Sequence, residues 1–195
     1  EYQVEKIIVS TYQAVSGTGK NAVEELERQV ADYAGGKPAT KEVYPYQIAF
    51  NAIPEIGSQS EEFPGYYSEE VKMIKETHKI LECPEMKISA TCVRVPVFNG
   101  HAESVTLQCG KTPDIDRVKE LIGSFPGTTV MDDPSNSLYP TPLEISGKDD
   151  VFVGRIRKNT AMENALDIWV VGDNIRKGAA LNTVQIAEEL TKEKT

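Results

Sequence analysis

The 195-residue chain has little of what marks a metal centre, a disulfide scaffold or a membrane protein. It holds two histidines, three cysteines and one tryptophan. Cys83, Cys92 and Cys109 include no Cys-x-x-Cys pair, so neither a metal site nor a disulfide framework is expected. No apolar run reaches the roughly 18 residues of a membrane span. Basic side chains are outnumbered 21 to 30, and a net charge of −9 argues against a protein held to nucleic acid by phosphate neutralisation, while leaving room for a local basic pocket. Glu1 leads into an apolar strand without a secretory signature, and unpaired thiols fit a reducing, cytoplasmic setting. The absence of an initial methionine is read as the mark of a piece of something longer. What remains, 39% hydrophobic and 26% charged, is ordinary globular composition, enough for one large domain.

The β-branched run Ile7, Ile8 and Val9 predicts a buried strand over 6–12, followed by a glycine-rich turn. Val23, Leu26, Val30 and Tyr33 recur at helical spacing, and Gly35-Gly36 supplies the stop. The proline-rich stretch 37–65 reads as loop with one short extended piece near Ile48–Ile53. Ser68 is placed as the cap of a second helix with Glu69 and Glu70 in its first turn and Val71, Ile74, His78 and Leu81 inward. Alternation over 87–97 and 102–109 around Asn99-Gly100 predicts a two-residue hairpin, pairing Arg94 with Val105 and Phe98 with His101. A third helix through Ile122, strands near 128–131, 151–157 and 166–171, and a last helix over 176–190 complete the order. The mixture favours an α/β fold of α+β type, a mixed and largely antiparallel sheet covered by helices.

Each candidate motif has a bland alternative. Gly17-Thr18-Gly19-Lys20-Asn21-Ala22 matches a dinucleotide fingerprint, yet it stands four residues past the strand end and lacks the distal acid; a plain strand-to-helix turn serves as well. Arg94 shares strand parity with Ile88, Ala90 and Cys92, which places a charge on an apolar face together with His101, their backbones about 13 Å apart along the hairpin. A small dianion could lie between them, or each could be satisfied locally at the surface. Glu69 and Lys72, three apart on a helix, make an ordinary solvated ion pair by default. His78 reads as a satisfied, partly buried histidine, and Cys92 and Cys109 as small buried hydrophobes.

Taken together, the segment Val9-Ser10-Thr11-Tyr12-Gln13-Ala14-Val15-Ser16-Gly17, then Glu69-Glu70-Val71-Lys72, then Ala90-Thr91-Cys92-Val93-Arg94-Val95-Pro96-Val97 with His101, and finally Gly172-Asp173-Asn174-Ile175-Arg176-Lys177-Gly178-Ala179-Ala180, resemble aspartate-β-semialdehyde dehydrogenase over nearly the whole chain. The resemblance implies NADP-dependent reduction of aspartyl-4-phosphate to aspartate semialdehyde and phosphate, on the route to lysine, methionine, threonine and diaminopimelate. It implies His101 as acid-base group, Gln13 orienting the acyl-enzyme, and Arg94 clasping the substrate carboxylate. Glu69 would meet the substrate ammonium and Lys72 the phosphate, while Ser16, Gly17 and Asn174 would contact NADP.

The resemblance also implies a fold similar to the second domain of glyceraldehyde-3-phosphate dehydrogenase, with helices on one face and the open face as dimer surface. None of the three cysteines stands in the family's Asn-Cys-Ser/Thr context. Residues 1–172 are therefore expected to form a substrate-binding and dimerisation domain, and 173–195 a helix that packs on a nucleotide-binding domain carrying the nucleophile and the main NADP site. Such a chain is expected to assemble as a homodimer or homotetramer and to be inactive alone. A non-catalytic dimerising module of the same fold, or a reductase of another acyl phosphate such as N-acetylglutamyl phosphate, are the alternatives.

Overall fold

The β-branched run near the start forms the first strand, Val4–Gln13 (β1), and five more follow: Lys87–Arg94 (β2), His101–Cys109 (β3), Thr128–Val130 (β4), Val151–Lys158 (β5) and Ala165–Gly172 (β6). The helices are Lys20–Ala34 (α1), Ser68–Ile80 (α2), Ile115–Ser124 (α3), Pro142–Ile145 (α4) and Leu181–Lys192 (α5), the last entered through a π-helical turn at Arg176–Ala180. This computed structural model describes residues 1–192.

The strands form one sheet in the order β2-β1-β3-β6-β5-β4. Its interior pairings are antiparallel, and a parallel strand lies at each edge. The expected hairpin is not there: β1 lies between β2 and β3, parallel to the first and antiparallel to the second. Arg94 faces Gln13, not Val105, and Val105 faces Val9 and Ile168. The physical reason is that the loop after Arg94 crosses the end of β1 before Asn99-Gly100 turns the chain. Val15 N donates to Val97 O (2.9 Å) and Ser16 N to Phe98 O (3.1 Å), so the first strand's extension takes the partners that a hairpin would have used.

Period-two alternation sorts the sheet residues. On one face Val9, Ala90 and Val105 pack with Met73 of α2, and Cys109, Val153 and Leu166 pack under Val118 of α3. The opposite face leaves Ile8 43% and Tyr12 38% exposed, with Trp169 stacked obliquely on Tyr12. Only its corner is covered, where Ile145 of α4 packs on Ala102, Phe152 and Val171.

The proline-rich stretch departs from the expectation of a short extended piece. Ala49 and Phe50 form a turn, and within 48–53 only Ile53 pairs, bridging to Arg94 with N–O distances of 2.9 and 2.8 Å. Two fully buried side chains of α1 order this loop. Glu25 accepts from the backbone N–H groups of Glu42 and Val43, while Gln29 Oε1 accepts from Ile48 and Ala49 N–H and its Nε2 donates to Thr40 O. The cap of α2 also differs: Tyr67 occupies the position, its N–H donating to Glu70 (2.8 Å), and Ser68 Oγ instead accepts from Ser58 N–H. Leu81, expected inward, is half exposed.

Candidate active site

The polar row at the end of the sheet follows from register. Gln13 is the last residue of β1, Arg94 the last of β2 and His101 the first of β3, and all three project from the helix-covered face. With one strand between them, the backbones of Arg94 and His101 lie about 10 Å apart, two strand spacings. The convergence expected from parity therefore holds, through a different topology. α2 brings Glu69 and Lys72 over this row, and the segment after β6 brings Asn174. Gln13, Ser16, Gly17, Glu69, Lys72, Arg94, His101 and Asn174, the eight residues that the resemblance implied for the site, line one cleft of about 340 Å³.

Arg94 is only 5% exposed, and its Nη1 donates to Ala14 O at 2.6 Å. No carboxylate among the described residues pairs with it, although Glu69 lies near enough to influence it electrostatically. The reading of a paired surface arginine is thus corrected. Burial lowers its pKa, a sign that the fold leaves this cation short of solvation. Its position is fixed on both sides, by Gln13 of β1 and by Ile53 at the outer edge.

His101 Nδ1 accepts from Ala14 N–H (3.1 Å), which puts the proton of the neutral ring on Nε2. Burial and the neighbouring Arg94 charge push its pKa down to about 4, so the imidazole is neutral at pH 7. A Cβ added at Gly17 would stand 3.3 Å from Arg94 Nη1 and from His101 Cε1 and Nε2. Glycine there keeps the space over both groups open.

Glu69 and Lys72 do make the ordinary helix pair, at 3.5 Å, and Gln13 Nε2 lies 3.5 Å from the other Glu69 oxygen. The adjacent Glu70 is buried instead, its carboxylate accepting from Cys92 N–H (3.0 Å) on the free edge of β2 and from Tyr67 N–H. It pins the first turn of α2 to the strand that carries Arg94. Ser16 Oγ donates to Asn99 Oδ1 and accepts from Asn174 Nδ2, both at 3.0 Å, and Asn174 Oδ1 accepts from Gly100 N–H at 2.8 Å.

Burial, with nearby acids adding to it, pushes the Cys92 thiol up to about 11, so it is no thiolate at neutral pH. Burial likewise raises Glu103, two residues along β3 from His101. His78 Nε2 meets Met86 O at 2.7 Å, a satisfied histidine. No grouping of three or more His, Cys, Asp or Glu suited to a metal ion occurs among the described residues, and no described helix is long and apolar enough to cross a membrane.

Sequence reasoning missed Asn99, Glu70 and Asp173. Asn99 carried only a turn signal, Glu70 looked like a second helix-terminal acid, and Asp173 stood unremarked inside a quoted motif. Their partners come from distant segments, and local pattern carries no sign of them.

A family model described as "Semialdehyde dehydrogenase, dimerisation domain" matches residues 1–177. The chain belongs to the semialdehyde dehydrogenase family. Among relatives of this dimerisation domain, the aspartate-semialdehyde dehydrogenase of Aquifex aeolicus (strain VF5) is 49% identical over 97% of the chain and 56% of its own length. That of Bacillus subtilis (strain 168) is 48% identical over 98% and 57%. The chain thus spans a little over half the length of these relatives. Aspartate semialdehyde dehydrogenase II from Vibrio cholerae, solved in complex with ASA, superposes with a TM-score of 0.94 at 41% identity, covering 100% of this chain and 56% of that one. The Candida albicans aspartate semialdehyde dehydrogenase solved with NADP gives 0.68 at 26% identity, covering 96% and 50%. The mixed sheet with helices on one face is the fold of this family's C-terminal portion, as the resemblance implied.

Proposed function

We propose that residues 1–172 are the substrate-binding and dimerisation domain of an NADP-dependent, cytoplasmic aspartate-semialdehyde dehydrogenase, and that the following segment packs on a nucleotide-binding domain. The observation that carries this reading is Arg94, a buried guanidinium that faces the cleft and pairs with no carboxylate among the described residues. A ligand carboxylate would complete it bidentately, and the charge-assisted pair would be strengthened by the low dielectric around it.

The other groups divide one small zwitterion and its phosphate among them. Glu69 receives the ammonium group, and Lys72, the more exposed partner of their pair, receives the phosphate; the 3.5 Å contact between them opens as each takes its new partner. Gln13 orients the acyl group. His101 holds its proton at Nε2 with Nδ1 locked by Ala14 N–H, and offers it to an oxygen that gains negative charge. The remaining lone pair of Ser16 Oγ and the second N–H of the Asn174 carboxamide present an acceptor and a donor suited to the amide of a nicotinamide, and Gly17 leaves room for its approach. NADP, when bound, supplies hydride acceptance. The attacking thiolate comes from elsewhere, since Cys92 and Cys109 are buried with raised pKa values and Cys83 lies outside the cleft. Alone, the chain forms no covalent intermediate.

The test is to fuse the chain to the nucleotide-binding half of the Bacillus subtilis relative and follow phosphate-dependent NADP reduction by aspartate semialdehyde. Turnover that requires phosphate is expected. A folded, dimeric chimera with no turnover would contradict the reading.

A further inference from the structure

We propose that Asp173 is a positioning residue that holds Asn174 and the His101 segment in register with each other; this rests on the reading of the cleft given above. Asp173 follows the last residue of β6 and is 2% exposed. Its Oδ2 accepts from Asn99 Nδ2 (2.8 Å) and Gly147 N–H (2.7 Å), and its Oδ1 from Ile175 and Arg176 N–H (both 2.9 Å). A buried carboxylate here is satisfied by four donors from three separate stretches of chain, with no direct ion-pair partner among the described residues. Burial alone would raise its pKa, but these donors hold the carboxyl below the usual carboxylate range.

Two of these stretches, those of Asn99 and of Ile175 and Arg176, place the cleft's second half. Asn99 lies two residues before His101, and its Oδ1 takes the Ser16 hydroxyl. Ile175 and Arg176 begin the turn into α5, so their bonds fold the chain back and aim Asn174 at Gly100 N–H and Ser16 Oγ. The result is a closed ring, Asp173 to Asn99 to Ser16 to Asn174, joining the ends of β6, β1 and the start of β3. A carboxamide at 173 keeps the size but turns one acceptor into a donor. Whichever way it rotates, two of the four donors then face an NH₂ group.

The test uses NMR on the 195-residue chain, comparing Asp173→Asn with the parent at pH 7. Expected are Gly100 amide exchange about tenfold faster, although Gly100 does not touch Asp173, and His101 ring nitrogen shifts that move from the Nε2–H tautomer toward a mixture. Amides of α3 should keep their protection. Unchanged Gly100 exchange and an unchanged His101 tautomer in a folded variant would overturn the proposal, as would uniform loss of protection in all elements. If Asp173→Asn does not fold, Asn99→Ala cuts the one Asp173 bond that reaches the His101 segment, with Ser16→Ala as the control for the Ser16–Asn99 bond lost along with it. The same two signals should then move, and wild-type signals would overturn it. Neither readout needs turnover. A parent chimera without turnover, with these shifts present in the variant, counts against the dehydrogenase reading alone, and absent shifts in the variant of an active chimera count against Asp173 alone.

Discussion

Arg94 and His101 show how one buried face sets two opposite charge states. The guanidinium stays protonated despite its burial because its intrinsic pKa is so high, whereas the imidazole, beside that charge and partly removed from water, gives its proton up. The consequence for stability has a definite sign. Folded His101 has a pKa of about 4, below the unfolded value of 6.5, so between these two pH values the unfolded chain binds more protons and the fold is weakened as pH falls. From pH 7.5 to 5 this loss is about 2 kcal/mol. Urea titrations at the two pH values should find that His101→Asn removes roughly that much of the pH dependence, and an unchanged dependence would mean that the ring is not held neutral. Arg94 was legible as an anomaly in sequence because strand parity is local: a charge two residues from Cys92 and four from Ala90 must share their face. Its lack of an ion-pair partner was not legible, since that depends on what every other segment brings.

At the scale of elements, the loop from 37 to 67 is ordered by side chains rather than by secondary structure. Gln29 alone satisfies three backbone groups, of Thr40, Ile48 and Ala49, and Ile48 and Ala49 pack with Leu26, Val15 and Ile53 into the cluster beneath α1. Replacing Gln29→Leu keeps the volume but strands those groups, at a cost of about 2–4 kcal/mol. Limited proteolysis should show new cleavage between 40 and 50 at denaturant concentrations where the parent chain resists. Because Ile53 closes the edge of β2 at Arg94, the same variant should loosen the cleft. None of this was visible in a proline-rich stretch that reads as loop. The helices were legible, α1 and α2 from their three-four spacing, because helical hydrogen bonds are local. The pairing of β2 was not: Asn99-Gly100 is a sound turn signal, yet a turn decides only where the chain reverses. Which strand inserts between its arms is settled by the contacts of residues nearly 90 positions away.

At the scale of the molecule, the net charge of −9 coexists with a cleft in which Arg94 and Lys72 outnumber Glu69. Anions are thereby drawn to one place on an otherwise repelling surface. The sheet's bare face carries Ile8, Tyr12 and Trp169, an apolar surface of the kind that dimers cover. Sedimentation is expected to report a dimer for the parent chain and monomers with Ile8→Glu and Tyr12→Glu combined, and a persisting dimer would move the interface elsewhere.

The account stands on the Arg94 guanidinium meeting the substrate carboxylate. The decisive measurement is the KM for aspartate semialdehyde of the two-domain chimera carrying Arg94→Leu, with Arg94→Lys alongside. A rise of about 100-fold for leucine, the scale of a lost buried charge-assisted pair, and a smaller rise for lysine, which keeps the charge without the fork, are predicted. A KM equal to that of the parent chimera, in a leucine variant that still turns over, would contradict it.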